Sequence, residues 1–185
     1  MRDIFLNCRT IRRFDNARPL TEEELHRVLS VVDKLPSAGN LQRIRYAAIT
    51  GEAASSLFGA VALGGYLPPE QKPTRDVAPT AYAVLFTERD PDTNLAIDIG
   101  IAAEAIALSA AMDGIGACII RNFSRDSFAP YGAFGYEPRL VIALGYPAEQ
   151  AKTVPVGEDG SLRYRISTDG VNLVPKLSLE DLIVK

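Results

Sequence analysis

Three arginines and a threonine crowd into "RTIRR": Arg9, Thr10, Arg12 and Arg13. Guanidinium groups grip phosphate or carboxylate oxygens two at a time, and a neighbouring hydroxyl adds a further bond. Arg9 and Arg12 share a face if the turn is helical. Two uses stay open, solvated charges between helices or a site for an anion. A second constellation is "PSAGNLQ", 36–42, where Ser37, Asn40 and Gln42 surround the small Ala38 and Gly39. This is either a turn with local backbone bonds or a row of polar groups that reads the edge of a flat ring. The sequence has no Walker A element, and "GIGACI" closes a helix rather than opening one. A phosphate bound here must therefore be held by side chains rather than by a glycine-rich loop.

Other chemistry has thin support. His26 is the one histidine and sits in a helical stretch, so zinc and histidine-triad sites lack partners. Cys8 and Cys118 are far apart and form no CxxC pair. Two free thiols suit a reducing, cytoplasmic setting. Cys8 abuts the arginines, and cations lower a thiol pKa; a plain structural cysteine is the competing reading.

The elements that must position these groups follow from pattern. Residues 2–7 read as a short helix, and "RPLTEEELHRVLSVVDKL" as a longer one opened by a Thr21–Glu24 capping box. "RYAAIT", "TAYAVLFTE", "IGACII" and "RLVIALGYP" read as strands. "GEAASSLFGAVA" is weakly helical, and 64–76 is a Gly/Pro-rich loop. Asn94 to Met112 is the longest helix, apolar around most of its circumference. Such a helix is covered on nearly all sides, and a second subunit is a plausible source of cover. In the tail, "EDGS" signals a turn between "KTVPV" and "LRYRIS". Mixed strands and helices without repeats or linkers predict an α+β fold in one domain, 1–185.

A net charge of −3 in 185 residues argues against a general role on nucleic acid or an anionic membrane. The opening residues have too short an apolar run for a signal peptide. The apolar stretch 95–120 carries Asp98, Glu104 and Asp113, so it reads as a buried helix and strand rather than a membrane span.

Four segments in order resemble the nitroreductase family of FMN-dependent oxidoreductases: "RTIRRF", "PSAGNLQ", "GIGACIIRNF" and "PKLSLEDLIV". The resemblance implies a central, mostly antiparallel sheet flanked by helices, in an intertwined homodimer with FMN at the interface. It implies that Arg9, Thr10, Arg12 and Lys176 hold the phosphate and polar edge of the flavin. Pro36, Ser37, Ala38, Asn40 and Gln42 would approach the flavin, typically from the other subunit. Ile120, Arg121 and Asn122 would lie beside its reactive N5. NADH or NADPH would reduce FMN, and a nitroaromatic, quinone or similar small acceptor would reoxidise it in ping-pong order, with no side chain needed as acid or base. Dehalogenation or azoline oxidation on the same fold, or flavin storage, are the alternatives. The excursion that covers the flavin in longer members of that family is reduced here to about 59–76.

Overall fold

The computed structural model describes residues 3–65, 67–88 and 90–184. Arg2 of the expected first helix and Tyr66 of the expected loop lie outside them.

Strand β1 (Arg45–Thr50), β2 (Ala81–Thr87), β3 (Gly116–Ile120) and β4 (Glu137–Gly145) form an antiparallel sheet in the order β1-β2-β4-β3. Every residue of β2 is buried, because both faces of the sheet are covered. Alternation sorts its side chains. Ala81, Ala83 and Leu85 join one core with Leu25, Val28, Ile99 and Ile106; Tyr82, Val84 and Phe86 join another with Phe14, Ile49, Phe128 and Val141. Burying each larger apolar side chain contributes about 1.5–3 kcal/mol.

Helix α1 is Asp3–Asn7, α2 Glu22–Leu29, α3 Gly51–Ser56, α4 Thr93–Met112 and α5 Arg125–Phe128. The capping box of α2 is present: the Glu24 N–H donates to Thr21 Oγ1, and the Thr21 N–H to the Glu24 carboxylate. The helix stops at Leu29, shorter than expected. Ser30 caps it by donating its N–H and hydroxyl to the Arg27 carbonyl, and the β-branched Val31 and Val32 lead into a tighter turn over Val32–Lys34. Segment α5, unpredicted, starts at the capping hydroxyl of Ser124.

Asp92 caps α4 by accepting the Leu95 N–H at 2.8 Å. One side of α4 packs Leu95, Ile99, Ala103 and Ile106 against the sheet. The expected all-round cover is incomplete within one chain, since Ile97 is 56% and Met112 77% exposed and Ile101 is exposed beside them. By length and composition α4 could cross a membrane, but its buried side makes it a core helix of this fold.

The tail differs from expectation. Strands β5 (Ala151–Pro155), β6 (Arg165–Ile166) and β7 (Asn172–Lys176) form a second sheet in the order β5-β7-β6. The turn at 157–160 exists, closed by the Gly160 N–H to the Gly157 carbonyl, but the segments it joins do not pair with each other. β7 inserts between them, parallel to β5 and antiparallel to β6. A tight turn through Ser167 and Gly170 returns the chain from β6 to β7, and the short α6 (Leu179–Leu182) follows. Leu179, Leu182, Ile183 and Val184 are exposed.

Candidate anion site and polar pocket

The N-terminal segment lies along the free edge of β3. Thr10 bridges Ala117 in parallel, and the Ile11 N–H donates to the Ala117 carbonyl at 3.0 Å. Ile11 and Phe14 point inward and are buried. Glycine at 116 lets Ile11 approach, since a Cβ there would meet the Ile11 side chain at 2.8 Å.

Glu149 anchors this segment. Its side chain is 4% exposed and accepts the backbone N–H groups of Arg12 and Arg13 on one oxygen and Arg13 Nη1 at 3.1 Å on the other. Arg13 also donates to the Gln71 carbonyl, so its charge is spent internally. The solvated-charge reading fails for Arg13, which is a structural arginine. Sequence reasoning passed over Glu149, which sits in an ordinary polar turn after Pro147 with no motif to mark it.

Arg9 and Arg12 differ from Arg13. Arg9 donates through Nη2 to the Phe5 carbonyl, but its Nε is buried with no hydrogen-bond partner among the described residues. Arg12 stacks on the Tyr164 ring at 4.2 Å, and its Nη1 is likewise buried without a hydrogen-bond partner. A buried guanidinium N–H left unpaired is costly, so both nitrogens suit an incoming oxygen anion. Arg9, Thr10 and Lys176, from opposite ends of the chain, line one pocket of about 220 Å³. Arg12 stands outside that lining. Glu104 of α4 is the acidic member of the pocket wall.

The reactive-thiol alternative for Cys8 gains no support, and the plain structural cysteine is the reading that agrees with its surroundings. Its thiol is pushed up, first by burial and then by Glu104, and Arg9 only partly opposes this. Burial pushes the Cys118 thiol up to about 11, with Arg12 opposing and Glu149 reinforcing the shift.

Residues 36–42 form a compact loop with three left-handed positions: Gly39 at φ +58°, Asn40 at +53° and Gln42 at +49°. Asparagine and glycine tolerate that region better than most residues. The Gln42 N–H donates to Ser37 Oγ at 3.1 Å, and Gln42 Nε2 donates to Asn40 Oδ1 at 3.2 Å. The turn reading is therefore satisfied in part by these local bonds. The Ala38 N–H donates to Asp98 Oδ1 at 3.0 Å, tying the loop to α4. Pro36, Ser37, Asn40 and Gln42 line a second pocket of about 420 Å³.

The two pockets flank α4 differently. Successive residues turn by about 100° on an α-helix. Asp98 and Ala102 border the 420 Å³ pocket, whereas Glu104 and Ala107 border the 220 Å³ pocket from another side. Ile120 is buried at the end of β3, and Arg121 and Asn122 are exposed beyond it. The Asn122 carbonyl accepts the Ala62 N–H at 3.0 Å, and the Ser124 N–H donates to the Ala60 carbonyl at 2.8 Å. These bonds fasten 120–124 to the start of the loop after α3; none of 120–122 lines either pocket, although Ile119 just before them lines the 220 Å³ one. One chain thus brings Arg9, Thr10 and Lys176 together, and Pro36, Ser37, Asn40 and Gln42 together, but leaves the two sets and 120–122 apart.

The nitroreductase family model matches residues 7–146. No curated protein sequence matches the chain. Solved structures share the fold at low identity. The FMN-dependent nitroreductase NfnB from Mycobacterium smegmatis, in complex with NADPH, aligns at TM-score 0.64 and 18% identity over 80% of this chain and 87% of that one. A nitroreductase family protein from Streptococcus pneumoniae aligns at 0.65 and 16% over 88% and 98%. An FMN-dependent nitroreductase from Clostridium difficile aligns at 0.61 and 19% over 82% and 90%. The α+β architecture, the antiparallel sheet and a family match over well more than half the length agree: the chain belongs to the nitroreductase family.

Proposed function

We propose that this protein is an FMN-dependent oxidoreductase, a single FMN-binding domain that works as a homodimer. The convergence of Arg9, Thr10 and Lys176 on one pocket carries the reading. The unpaired Arg9 Nε and Arg12 Nη1 suit a phosphate dianion. Thr10 adds a hydroxyl, and Glu149 holds the segment in place through its backbone. FMN bound there would take a hydride from NADH or NADPH and pass it to a nitroaromatic, quinone or similar small acceptor in ping-pong order.

A second subunit would complete the site. The exposed Ile97, Ile101 and Met112 of α4 and the exposed Leu179, Leu182, Ile183 and Val184 offer apolar surface for it. Contact across α4 would let the 36–42 loop of one chain reach the anion pocket of the other, which a single chain leaves apart. Segment 120–122 would offer backbone N–H groups to the flavin ring, with Arg121 and Asn122 exposed beside the buried Ile120 and the Asn122 carbonyl already engaged by the Ala62 N–H. The two thiols, both with raised pKa, would stay out of the chemistry. A cytoplasmic location agrees with two unpaired cysteines.

Fluorescence titration with FMN tests the reading. Each charge-assisted bond contributes about 1.5–3 kcal/mol, so Arg12→Ala weakens FMN binding at least tenfold. A wild-type protein that stays colourless in excess FMN refutes the cofactor, and unchanged affinity in Arg12→Ala refutes the role of that arginine.

A further inference from the structure

Arg12 and Arg13 are neighbours held by opposite means. Glu149 takes the Arg13 guanidinium in an ion pair and so cancels its charge. The same carboxylate accepts only the backbone N–H of Arg12, whose guanidinium rests instead on the Tyr164 ring, 4.2 Å from its centroid. A ring face attracts a cation through its quadrupole and covers one side of the guanidinium plane. It leaves the charge in place and the N–H edge open for bonds in the plane. Nη1 belongs to that edge, buried and without a hydrogen-bond partner among the described residues.

Tyr164 comes from the tail, beyond the 7–146 matched by the family model. It precedes β6, whose Arg165 pairs with Leu173 of β7. Continued by one residue, that antiparallel register sets Tyr164 opposite Val174, and opposed residues share a face of the sheet. Val174 and Lys176 are two apart on β7, which puts them on that face as well, and both line the 220 Å³ pocket. One face of the tail sheet thus serves the anion site twice, directly through Lys176 and indirectly through the ring beneath Arg12. A long flexible side chain loses affinity when a ligand must first immobilise it; one already stacked has lost that freedom beforehand. We propose that Tyr164 is a positioning residue for the cofactor: its ring holds the Arg12 guanidinium, still charged, with Nη1 presented to the incoming oxygen anion. The proposal rests on the FMN reading for the identity of that anion and deepens it by giving the tail strand a share in cofactor capture. Glu149 fixes the main chain of Arg12, and Tyr164 fixes its side chain.

Fluorescence titration of FMN into the full chain tests it. Tyr164→Leu keeps apolar bulk and removes the ring face, and it weakens FMN binding about fivefold or more. Tyr164→Phe keeps the ring and binds FMN within about twofold of the wild type. In an Arg12→Ala background, Tyr164→Leu changes affinity by less than about twofold, because the group it positions is gone. A tyrosine that merely packs the tail gives the same loss with or without Arg12, so equal losses in the two backgrounds overturn the proposal. Wild-type affinity in Tyr164→Leu overturns it too, as does a Phe variant as weak as the Leu variant. Should Tyr164→Leu fail to fold, Tyr164→Trp decides. The chain contains no tryptophan, so the new indole reports from that one position. Inorganic phosphate shifts its emission saturably, and adding Arg12→Ala abolishes the shift. An emission indifferent to phosphate, or a shift that survives Arg12→Ala, overturns the proposal. If the wild type takes up no FMN, the cofactor reading falls, and the same phosphate titration still decides whether Tyr164 presents Arg12 to an oxyanion.

Discussion

Replacing Glu149 probes the device that holds the arginine segment. Its carboxylate accepts two backbone N–H groups and the Arg13 guanidinium while 4% exposed. Truncating one partner of a buried ion pair costs about 3–5 kcal/mol, because the remaining charge stays desolvated. Arg13 keeps some solvent contact, with its side chain 22% exposed, which places Glu149→Ala near the lower end, about 3 kcal/mol. Glu149→Gln retains an oxygen for the Arg12 and Arg13 N–H groups and loses only the charge, so it costs about 1–2 kcal/mol. Urea unfolding of the apo protein at fixed concentration reads both. With an m-value of about 2 kcal/mol per molar, Glu149→Ala moves the midpoint down by about 1.5 M and Glu149→Gln by about 0.5–1 M. FMN affinity falls with the same ordering, since Arg12 loses its backbone anchor. A Glu149→Ala midpoint within 0.3 M of wild type, or a Gln variant as damaged as the Ala variant, would show that the carboxylate does not organise the segment.

Three further perturbations follow from the same region. Gly116→Ala places a methyl 2.8 Å from the Ile11 side chain; overpacking of this kind costs about 1–3 kcal/mol. It also shifts Thr10 and Arg12, so FMN titration shows weaker binding, and an unaltered affinity and midpoint would mean that 9–14 is not seated on β3. The raised thiols make both cysteines slow toward iodoacetamide at neutral pH, with turnover retained. For Cys118 the folded pKa of about 11 lies above the ordinary 9.0, so its contribution is complete below pH 9 and is lost as pH rises through 11, about 2–3 kcal/mol in all. Denaturation midpoints between pH 8 and 11 fall less in Cys118→Ala than in the wild type; parallel curves would contradict the buried-thiol argument.

Local physics made much of the framework readable. Thr21 and Glu24 are three residues apart and cap α2 with their own backbone. The residues of β1 were read exactly, and β2 to within a residue at each end, because runs of apolar and β-branched residues leave few alternatives. The length of α4 followed from the same kind of pattern, and its lone buried acid, Asp98, was a visible signal that went unused. The early end of α2 escaped because Ser30 and the valines beyond it keep helical spacing while favouring a tighter turn.

The tail and the site were decided elsewhere. The turn at 157–160 is a local fact, but whether its flanks pair depends on β7, which arrives later and takes the place between them. Parallel pairing across such a loop carries no short-range signature. In the same way, the sequence by itself determined that three arginines are close and that polar side chains share the loop at 36–42. Tertiary structure alone decided which arginine Glu149 would neutralise, which guanidinium nitrogens would be left unpaired, and that Lys176 would stand beside Arg9. Capping and periodicity act over a few residues and are written in the chain, whereas neutralisation and burial depend on groups brought near by packing, which no local pattern encodes.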